Sequence, residues 1–588
     1  MNTTKKLFSL LLFLSIFAAL SVSAASFRAE GFNWEITSDS TIRLAKESPY
    51  QFYYDIEDDL VIPEFVNYNG NDYSVTAIGD NALALTKITA IQIPNSVKYI
   101  GRFAFFGCTK LESLTLNCDT IDDVAFDACT GLKTLTICGG VKKIGMNSFE
   151  NCINLSEVNF ESGDELLKIS SNLFDYSPIK SIYLDRDLSV SIDNDSLIET
   201  ITFGSHVTKI PSLFCTHNNL LSQLVFPENV KSIGAMAFFE CTGLKEVDFG
   251  DGVEVIGDRA FNDCSKLKTI RLGDKVENIG SSAFAHCKEL SNLLLPSSLR
   301  VIGSWSFYDC PRITELIIPN SVSSIHGYAF KDCTGLKKVI IEDSSSHLEM
   351  ESRGDVEIFG DCQIQEVYMG RDITGPDNAV FSFYKDSPFS NMKTIKRFTI
   401  GNKVTSIPSY FFSGCDGIRT LVFLKVNNIG FSACGGCLRL KAIVLGNRLS
   451  CIDDYGFNGC ELDAVYTMGT TPPTLYHQVF HPCNETATLY VPTGSMTAYQ
   501  SADGWKEFKN IVEISEAEFN EAIDHLEEMY GYVAGDANGD REVNISDVNT
   551  VVDAILEGKQ DISYDMNDDF EVNIADINAI INMILSGE

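Results

Sequence analysis

Two short acidic runs near the C-terminus carry the residue types best suited to chemistry. Asp536, Asn538, Asp540, Glu542, Asn544 and Asp547 occupy positions 1, 3, 5, 7, 9 and 12 of one segment; Asp565, Asn567, Asp569, Glu571, Asn573 and Asp576 occupy the same positions of a second. Carboxylates and side-chain amides are hard oxygen donors. At this spacing, with a backbone carbonyl supplied at position 7, they form the ligand set of seven-coordinate calcium. The expected cofactor is therefore Ca2+, two ions, one per run.

The elements that must hold these ligands are legible beside them. An apolar run follows each loop, Val548 to Leu556 and Ile577 to Leu585, and each reads as a helix. Val543 and Val572 are expected to pair the loops across a small core. The duplicated unit resembles a type I dockerin over residues 535–588, a small all-α domain with two EF-hand-like calcium loops. It departs from an EF-hand at Arg541 and Phe570, where Gly is preferred, and in ending each loop with Asp rather than Glu. The resemblance implies docking to a cohesin-bearing protein through loop positions 10 and 11, here Ile545, Ser546, Ile574 and Ala575. These differ from the Ser-Thr pair common in clostridial dockerins.

Other chemistry is weakly represented. The chain has no H-E-x-x-H, P-loop or G-x-S-x-G motif. Cys434 and Cys437 form a C-x-x-C, but both fall on positions of a structural repeat. His477, His481 and Cys483 lack a fourth ligand. No catalytic residue is expected, and the protein reads as a non-enzyme.

A fixed period organises most of the chain. Cys241, Cys264, Cys287, Cys310 and Cys333 fall at equal intervals, and an apolar template recurs around them. One copy runs Cys241, Leu244, Val247, Phe249, Val253, Ile256, Gly257, Ala260, Phe261; the next runs Cys264, Leu267, Ile270, Leu272, Val276, Ile279, Gly280, Ala283, Phe284. A single coil of this length cannot close a core, so it must bury its apolar edge against the coils above and below. The fold class expected is a leucine-rich repeat solenoid with one short parallel β-strand per rung, mostly β and irregular, followed by the small helical domain. Gly257 is expected to supply a tight turn. The Cys column is expected to be buried and reduced, with stacked disulfides the alternative. The strings Ile256-Gly257-Asp258-Arg259-Ala260-Phe261 and Ile279-Gly280-Ser281-Ser282-Ala283-Phe284 resemble the repeats of bacterial BspA-like surface proteins, and the resemblance runs from about Val61 to Ile514.

Strand alternation places one residue per rung on the outside of the sheet, between two inward neighbours. Those residues are Tyr183, Val225, Asp248, Arg271, Leu294, Ile317, Ile340 and Tyr368, with Val422 and Val444 further on. They are expected to face solvent on a concave side, with Leu294, Ile317 and Ile340 stacked into one apolar stripe as the ligand-binding surface. Two stretches interrupt the period and resemble each other, Tyr183-Leu184-Asp185-Arg186-Asp187 and Tyr368-Met369-Gly370-Arg371-Asp372; both are candidates for functional surface loops. Outside the solenoid (74–463), the expected parts are a signal peptide (1–25), an N-terminal cap (26–73), a C-terminal repeat cap (464–514) and a helical linker (515–534). In the linker, Ser515 and Glu518 form a capping box, and Phe519, Ile523, Leu526 and Tyr530 share one face.

Composition bounds the function. With 45 Lys+Arg against 80 Asp+Glu the net charge is −35, which disfavours nucleic acid. Lys5 and Lys6, the apolar run Leu7 to Leu20 and small residues to Ala25 have the order of a secretory signal, which predicts an exported protein without membrane insertion. The expectation is a secreted or cell-surface binding protein, monomeric, whose solenoid recognises a protein or glycan. An accessory subunit of an extracellular polysaccharide-degrading assembly is the alternative.

Overall fold

The computed structural model describes residues 25–47, 53, 56, 58–170, 172–192, 197–352, 356–375 and 387–530, and in the C-terminal segment 537, 543, 545–557, 564, 566 and 572–586. The expected signal peptide, but for Ala25, lies outside the described residues. Residues up to Leu267 and residues from Lys268 form two compact units.

In the first unit, strands Ser113–Leu116, Thr134–Ile137, Glu157–Phe160, Ser181–Leu184 and Thr200–Phe203 pair in parallel and in register. Their second and fourth residues are buried while the first and third face outward, as the alternation predicts. The repeat predicts one strand per rung; the coil has two. Two-residue strands (Tyr99–Ile100, Thr120–Ile121, Lys143–Ile144, Lys168–Ile169) build a separate parallel ladder on another side. A single out-in pair is too short to register as a period in the sequence.

The third side of the coil is a turn, and it too is laddered. The N–H groups of Met236, Phe238 and Glu240 each donate to the next coil, to the carbonyls of Asp258, Ala260 and Asn262, all at 2.8 Å. Aiming them requires left-handed backbone at two places per coil, Met236 and Glu240 (φ 55° and 56°), then Arg259 and Asp263 (φ 55° and 59°). Such residues cost about 1 kcal/mol or more each, and the inter-coil bonds offset that cost. Gly257 is not the turn residue. A Cβ there would lie 2.8 Å from the Gly234 carbonyl carbon, the Ala235 nitrogen and the Ile233 oxygen, so glycine serves close approach between coils.

Behind the turns run stacked aromatic columns. Phe105, Phe126, Phe149 and Phe174 stack with centroids 4.7, 5.2 and 5.8 Å apart in the first unit. Phe284, Phe307, Phe330, Phe359 and Phe389 do the same in the second, at 5.4, 5.3, 5.9 and 5.6 Å.

The Cys column has a repeated task. Column thiols donate to the carbonyl of the aromatic slot one coil earlier, as Cys129 to Phe105 (3.2 Å), Cys310 to Phe284 (3.3 Å), Cys333 to Phe307 (3.1 Å) and Cys415 to Phe389 (3.0 Å). Where the column lacks Cys, Ser177 stands in and reaches the Phe149 carbonyl at 2.8 Å, while Asn218 in the column reaches a different carbonyl, that of Ile198, at 2.9 Å. All 18 cysteines are free. The C-x-x-C is two such places: Cys437 donates to Phe412 (2.9 Å), and the carbonyl of Cys434 accepts from Cys460 (3.0 Å).

In the second unit, Glu315–Ile318, Lys338–Ile341, Glu366–Met369 and Arg397–Ile400 form one parallel sheet. Thr420–Phe423, Ala442–Leu445, Ala464–Thr467, Thr488–Pro492 and Asn510–Ile514 form another. Antiparallel strands Ser26–Ala29, Phe32–Ser38 and Thr41–Ala45 close the N-terminal edge of the two-residue ladder. At the other end buried Trp505 plugs the last coil, its indole N–H donating to the Pro473 carbonyl at 2.8 Å.

Candidate functional site

The outward column of the second unit is held by strand register. Ile317 pairs with Ile340, Ile340 with Tyr368 and Tyr368 with Thr399. Leu294 occupies the equivalent place one coil earlier and is 65% exposed. It is not stacked into the ladder as expected, because its segment keeps only a Thr269–Asn292 bridge before Pro296 turns the chain away. Ile317 is 37% exposed, and Ile340 and Tyr368 are half-buried. The Tyr368 hydroxyl donates to Asp343 at 2.7 Å; that carboxylate, with burial, holds the phenol above its ordinary pKa. Beside the column the charges are paired: Lys338 with Glu315 (2.9 Å) and Arg397 with Glu366 (2.8 Å). Arg271 is exposed.

In the first unit the same positions hold Tyr183 (37% exposed) and Val225 (62% exposed), with Asn159 and Thr202 in register on either side of Tyr183. Asp248 is half-buried and accepts the Gly250 N–H at 2.9 Å, so its carboxylate caps a turn.

Val444 is expected in solvent from the alternation, yet it is fully buried. The helical segment after the last coil, Glu516–Asp524 then Leu526–Tyr530, lies on the outward face of this sheet. Phe519 and Leu526 join Ala442, Val444, Ala464 and Tyr466 in one buried cluster, with Ile523 packed against it. Phe519 meets the Tyr466 ring edge-on at 6.2 Å. The capping box forms as the sequence predicts, the Ser515 hydroxyl accepting the Glu518 N–H at 3.3 Å.

The two period-breaking stretches place an arginine inside the array. Arg186 and Arg371 are each 1% exposed. Arg371 donates to the carbonyls of Pro319 (2.9 Å), Val322 (2.8 Å) and Asn320 (3.1 Å); Arg186 donates to those of Glu165 (2.8 Å), Cys138 (3.3 Å) and Gly139 (3.4 Å). Burial pushes Arg371 down to about 10, which leaves it charged at neutral pH. The following aspartates reach forward: Asp187 accepts from Thr208 N (2.8 Å) and Lys209 N (3.1 Å), Asp372 from Thr405 N (2.7 Å) and Ser406 N (3.1 Å). Each Arg-Asp pair thus staples coils on both sides. The matching Arg-Asp pairs of the two stretches are the sequence signal for this, but a charged residue outside the repeat reads as surface, so the expected surface loops are instead internal fastenings at these residues.

At the C-terminus the helices run Ile545–Leu556 and Ile574–Ser586, beginning earlier than the apolar runs indicate. Val551 and Ile580 are fully buried between them, with Ala537, Val548 and Met566; Val543 packs on this core and Val572 is buried. Of the expected calcium ligands, Asp547, Asn573 and Asp576 are described; Asp536, Asn538, Asp540, Glu542, Asn544, Asp565, Asn567, Asp569 and Glu571 lie outside the described residues. Asp547 and Asp576 are both 0% exposed. Asp547 accepts the N–H of Ala537 (2.9 Å) and Asp576 that of Met566 (2.6 Å), each the second residue of its loop. A buried carboxylate closing each loop suits a cation-binding turn. Ile545 and Ile574 are 67% and 71% exposed, Ser546 is exposed and Ala575 half-buried. Among the described residues no helix is long and apolar enough to cross a membrane.

No curated protein matches the chain. Among solved structures it is similar to a leucine-rich repeat protein of Bacteroides ovatus, at 20% identity over 83% of this chain and 100% of that one, with a TM-score of 0.35. A leucine-rich cell surface protein of Faecalibacterium prausnitzii matches at 20% identity, covering 76% of this chain and 96% of that one, TM-score 0.20. A leucine-rich repeat protein of Bacteroides capillosus is 31% identical over 24% of this chain and 99% of that one, TM-score 0.20. The model of the BspA type leucine rich repeat region matches in overlapping blocks from residue 76 to residue 530. With laddered coils, the repeated thiol donors and this match over most of its length, the chain belongs to the BspA-type leucine-rich repeat family.

Proposed function

We propose that this is an exported, non-enzymatic binding protein whose outward sheet face captures a macromolecule. The observation that carries the reading is the exposure of apolar side chains where strand register aims them outward: Val225 at 62% and Ile317 at 37%, with Leu294 at 65% in the equivalent place. A monomer ordinarily keeps such patches small. Each unit presents its own such face: Tyr183 and Asp248 hold outward positions in the first, and Arg271, Ile340 and Tyr368 in the second. The order of charge, apolar run and small residues at the N-terminus supports export.

The C-terminal unit is proposed as a dockerin-like plug that binds two calcium ions and docks to a cohesin-type partner through Ile545, Ser546, Ile574 and Ala575. Buried Asp547 and Asp576, each holding its own loop's backbone, support the calcium assignment. Calcium would link the loop oxygens and set the two helices.

Screening the full chain against immobilised extracellular proteins and glycans tests the face. Replacing Leu294, Ile317 and Ile340 together with Asp is expected to abolish capture while leaving the fold and calcium uptake unchanged. Equal capture by the folded triple variant removes the face from consideration.

A further inference from the structure

Among the described residues, the second unit contains both an occupied and a bare stretch of outward sheet face, and the occupied stretch shows what the surface accepts. The chain's own segment 516–530 sets Phe519 beside Tyr466 and returns toward Thr420–Phe423, with Leu526 in the same buried cluster as Val444. It therefore travels along the stack, across successive rungs, rather than along a strand.

The geometry favours this direction. Outward side chains of adjacent parallel strands are about 4.8 Å apart. A helix advances about 5.4 Å per turn, so a helix laid across the strands presents roughly one side chain to each rung for several turns. The segment covers two rungs, about 10 Å, as two short helices, Glu516–Asp524 over the Tyr466 strand and Leu526–Tyr530 toward Thr420–Phe423, joined at His525. A strand added at the sheet edge has no such match to this face, and the interior of the ladder leaves no edge to extend.

The bare stretch has the same spacing and a continuous apolar column. Ile317, Ile340 and Tyr368 are in direct register, with Leu294 at the far end. The covered strands carry small Ala442 and Ala464 two residues before Val444 and Tyr466. The bare strands carry Glu315, Lys338, Glu366 and Arg397 there, paired in twos across the rungs. An occupant of the bare stretch thus meets an apolar track with a rail of ion pairs along one side.

Resting on the reading of this face as the capture surface, we infer that its ligand is an amphipathic helix of a partner protein. The helix lies across the rungs, with apolar anchors at i, i+3 or i+4 and i+7 on Ile317, Ile340 and Tyr368, and its next turn reaches toward Leu294. Polar residues on its flank face the Glu315–Lys338 and Glu366–Arg397 rail. The built-in segment 516–530 is the internal precedent for the pose.

The test uses the full-length protein with calcium and a stapled helical peptide of the sequence 515–530, carrying a photoreactive phenylalanine at the Phe519 position. The expected result is saturable binding below about 1 mM, with crosslinks on the strands containing Ile317, Ile340 and Tyr368, and at least tenfold weaker binding to the Leu294→Asp, Ile317→Asp, Ile340→Asp variant. A triple Ala variant, milder at the same exposed positions, is expected to weaken binding in the same direction. Crosslinks confined to the Val444 and Tyr466 strands show exchange with the resident segment and overturn the inference. So does absence of binding, or crosslinking to a second copy or to helices 545–556 and 574–586 alone. If the Asp variant loses a screened ligand while the peptide never bound, the face reading stands and the helical ligand falls. If the variant keeps that ligand, the face reading falls as well.

Discussion

Arg371 places its guanidinium 2.9 Å from the carbonyl oxygen of Pro319, far earlier in the chain, and does so from a fully enclosed position. The solenoid thereby gains a fastening that spans more than one coil. It also holds a buried charge whose solvation comes from backbone carbonyls.

Replacing Arg371 with Met keeps the volume and strands three carbonyls. The expected loss is about 2–3 kcal/mol, felt in the second unit. Arg186→Met is expected to act likewise on the first. Denaturant unfolding followed by a fluorophore in each unit would separate the two. Equal midpoints for parent and variants would show the staples to be dispensable.

Burial pushes the Cys152 and Cys333 thiols up to about 12 from an ordinary 9. Below pH 9 folded and unfolded thiols are both protonated, and the contribution is fully present. Between pH 9 and 12 the unfolded chain releases protons that the folded chain retains, so stability falls as pH rises. Circular dichroism is expected to show cooperative alkaline unfolding in this window. A Cys reagent should meanwhile find few reactive thiols at pH 8 before denaturation and most of the 18 after it.

Gly257→Ala drives a methyl group against three backbone atoms of the preceding coil. The cost expected is about 2 kcal/mol, against well under that for Ala at an exposed turn position. A midpoint for the first unit unchanged by the substitution would mean that neighbouring coils separate freely.

On the proposed reading, calcium removal is expected to reduce the helical signal of Ile545–Leu556 and Ile574–Ser586 while leaving the laddered coils intact, since only the former would depend on metal. Titration calorimetry should count two ions on the parent. Asp547→Ala and Asp576→Ala should each count one.

What can be read from the sequence follows from what repeats. The inward column of Val247, Ile270 and Leu293 recurs at the same interval as the cysteines, and it announces the stacked coil and the outward direction of its neighbours. The two-residue ladder is hidden because Lys143–Ile144 offers one alternation and no period. Gly257 misleads because a repeating glycine suggests a left-handed turn, whereas φ is positive at Arg259 and Asp263; the sequence signal for the latter is the residue before each column Cys, Asp263, His286, Asp309 and Asp332, types that tolerate positive φ. Burial of Val444 is invisible for a different reason. It depends on where a segment far later in the chain, beginning at Glu516, comes to rest, and no local pattern encodes that. The Phe519, Ile523, Leu526 spacing does give the apolar face of that segment, but not its seat.

The seating of 516–530 also has a mechanical side. A load applied beyond residue 530 meets that helix before it meets any coil. Helix and sheet are joined there by side-chain packing, through Phe519, Leu526, Val444 and Tyr466, whereas the coils are joined by ladders of backbone hydrogen bonds. Packing peels residue by residue, while a ladder has several bonds to break at each rung. Tension applied there would therefore be relieved first by lifting Glu516–Asp524 and Leu526–Tyr530, which would bare Val444 and Tyr466 while the coils of the second unit stay wound.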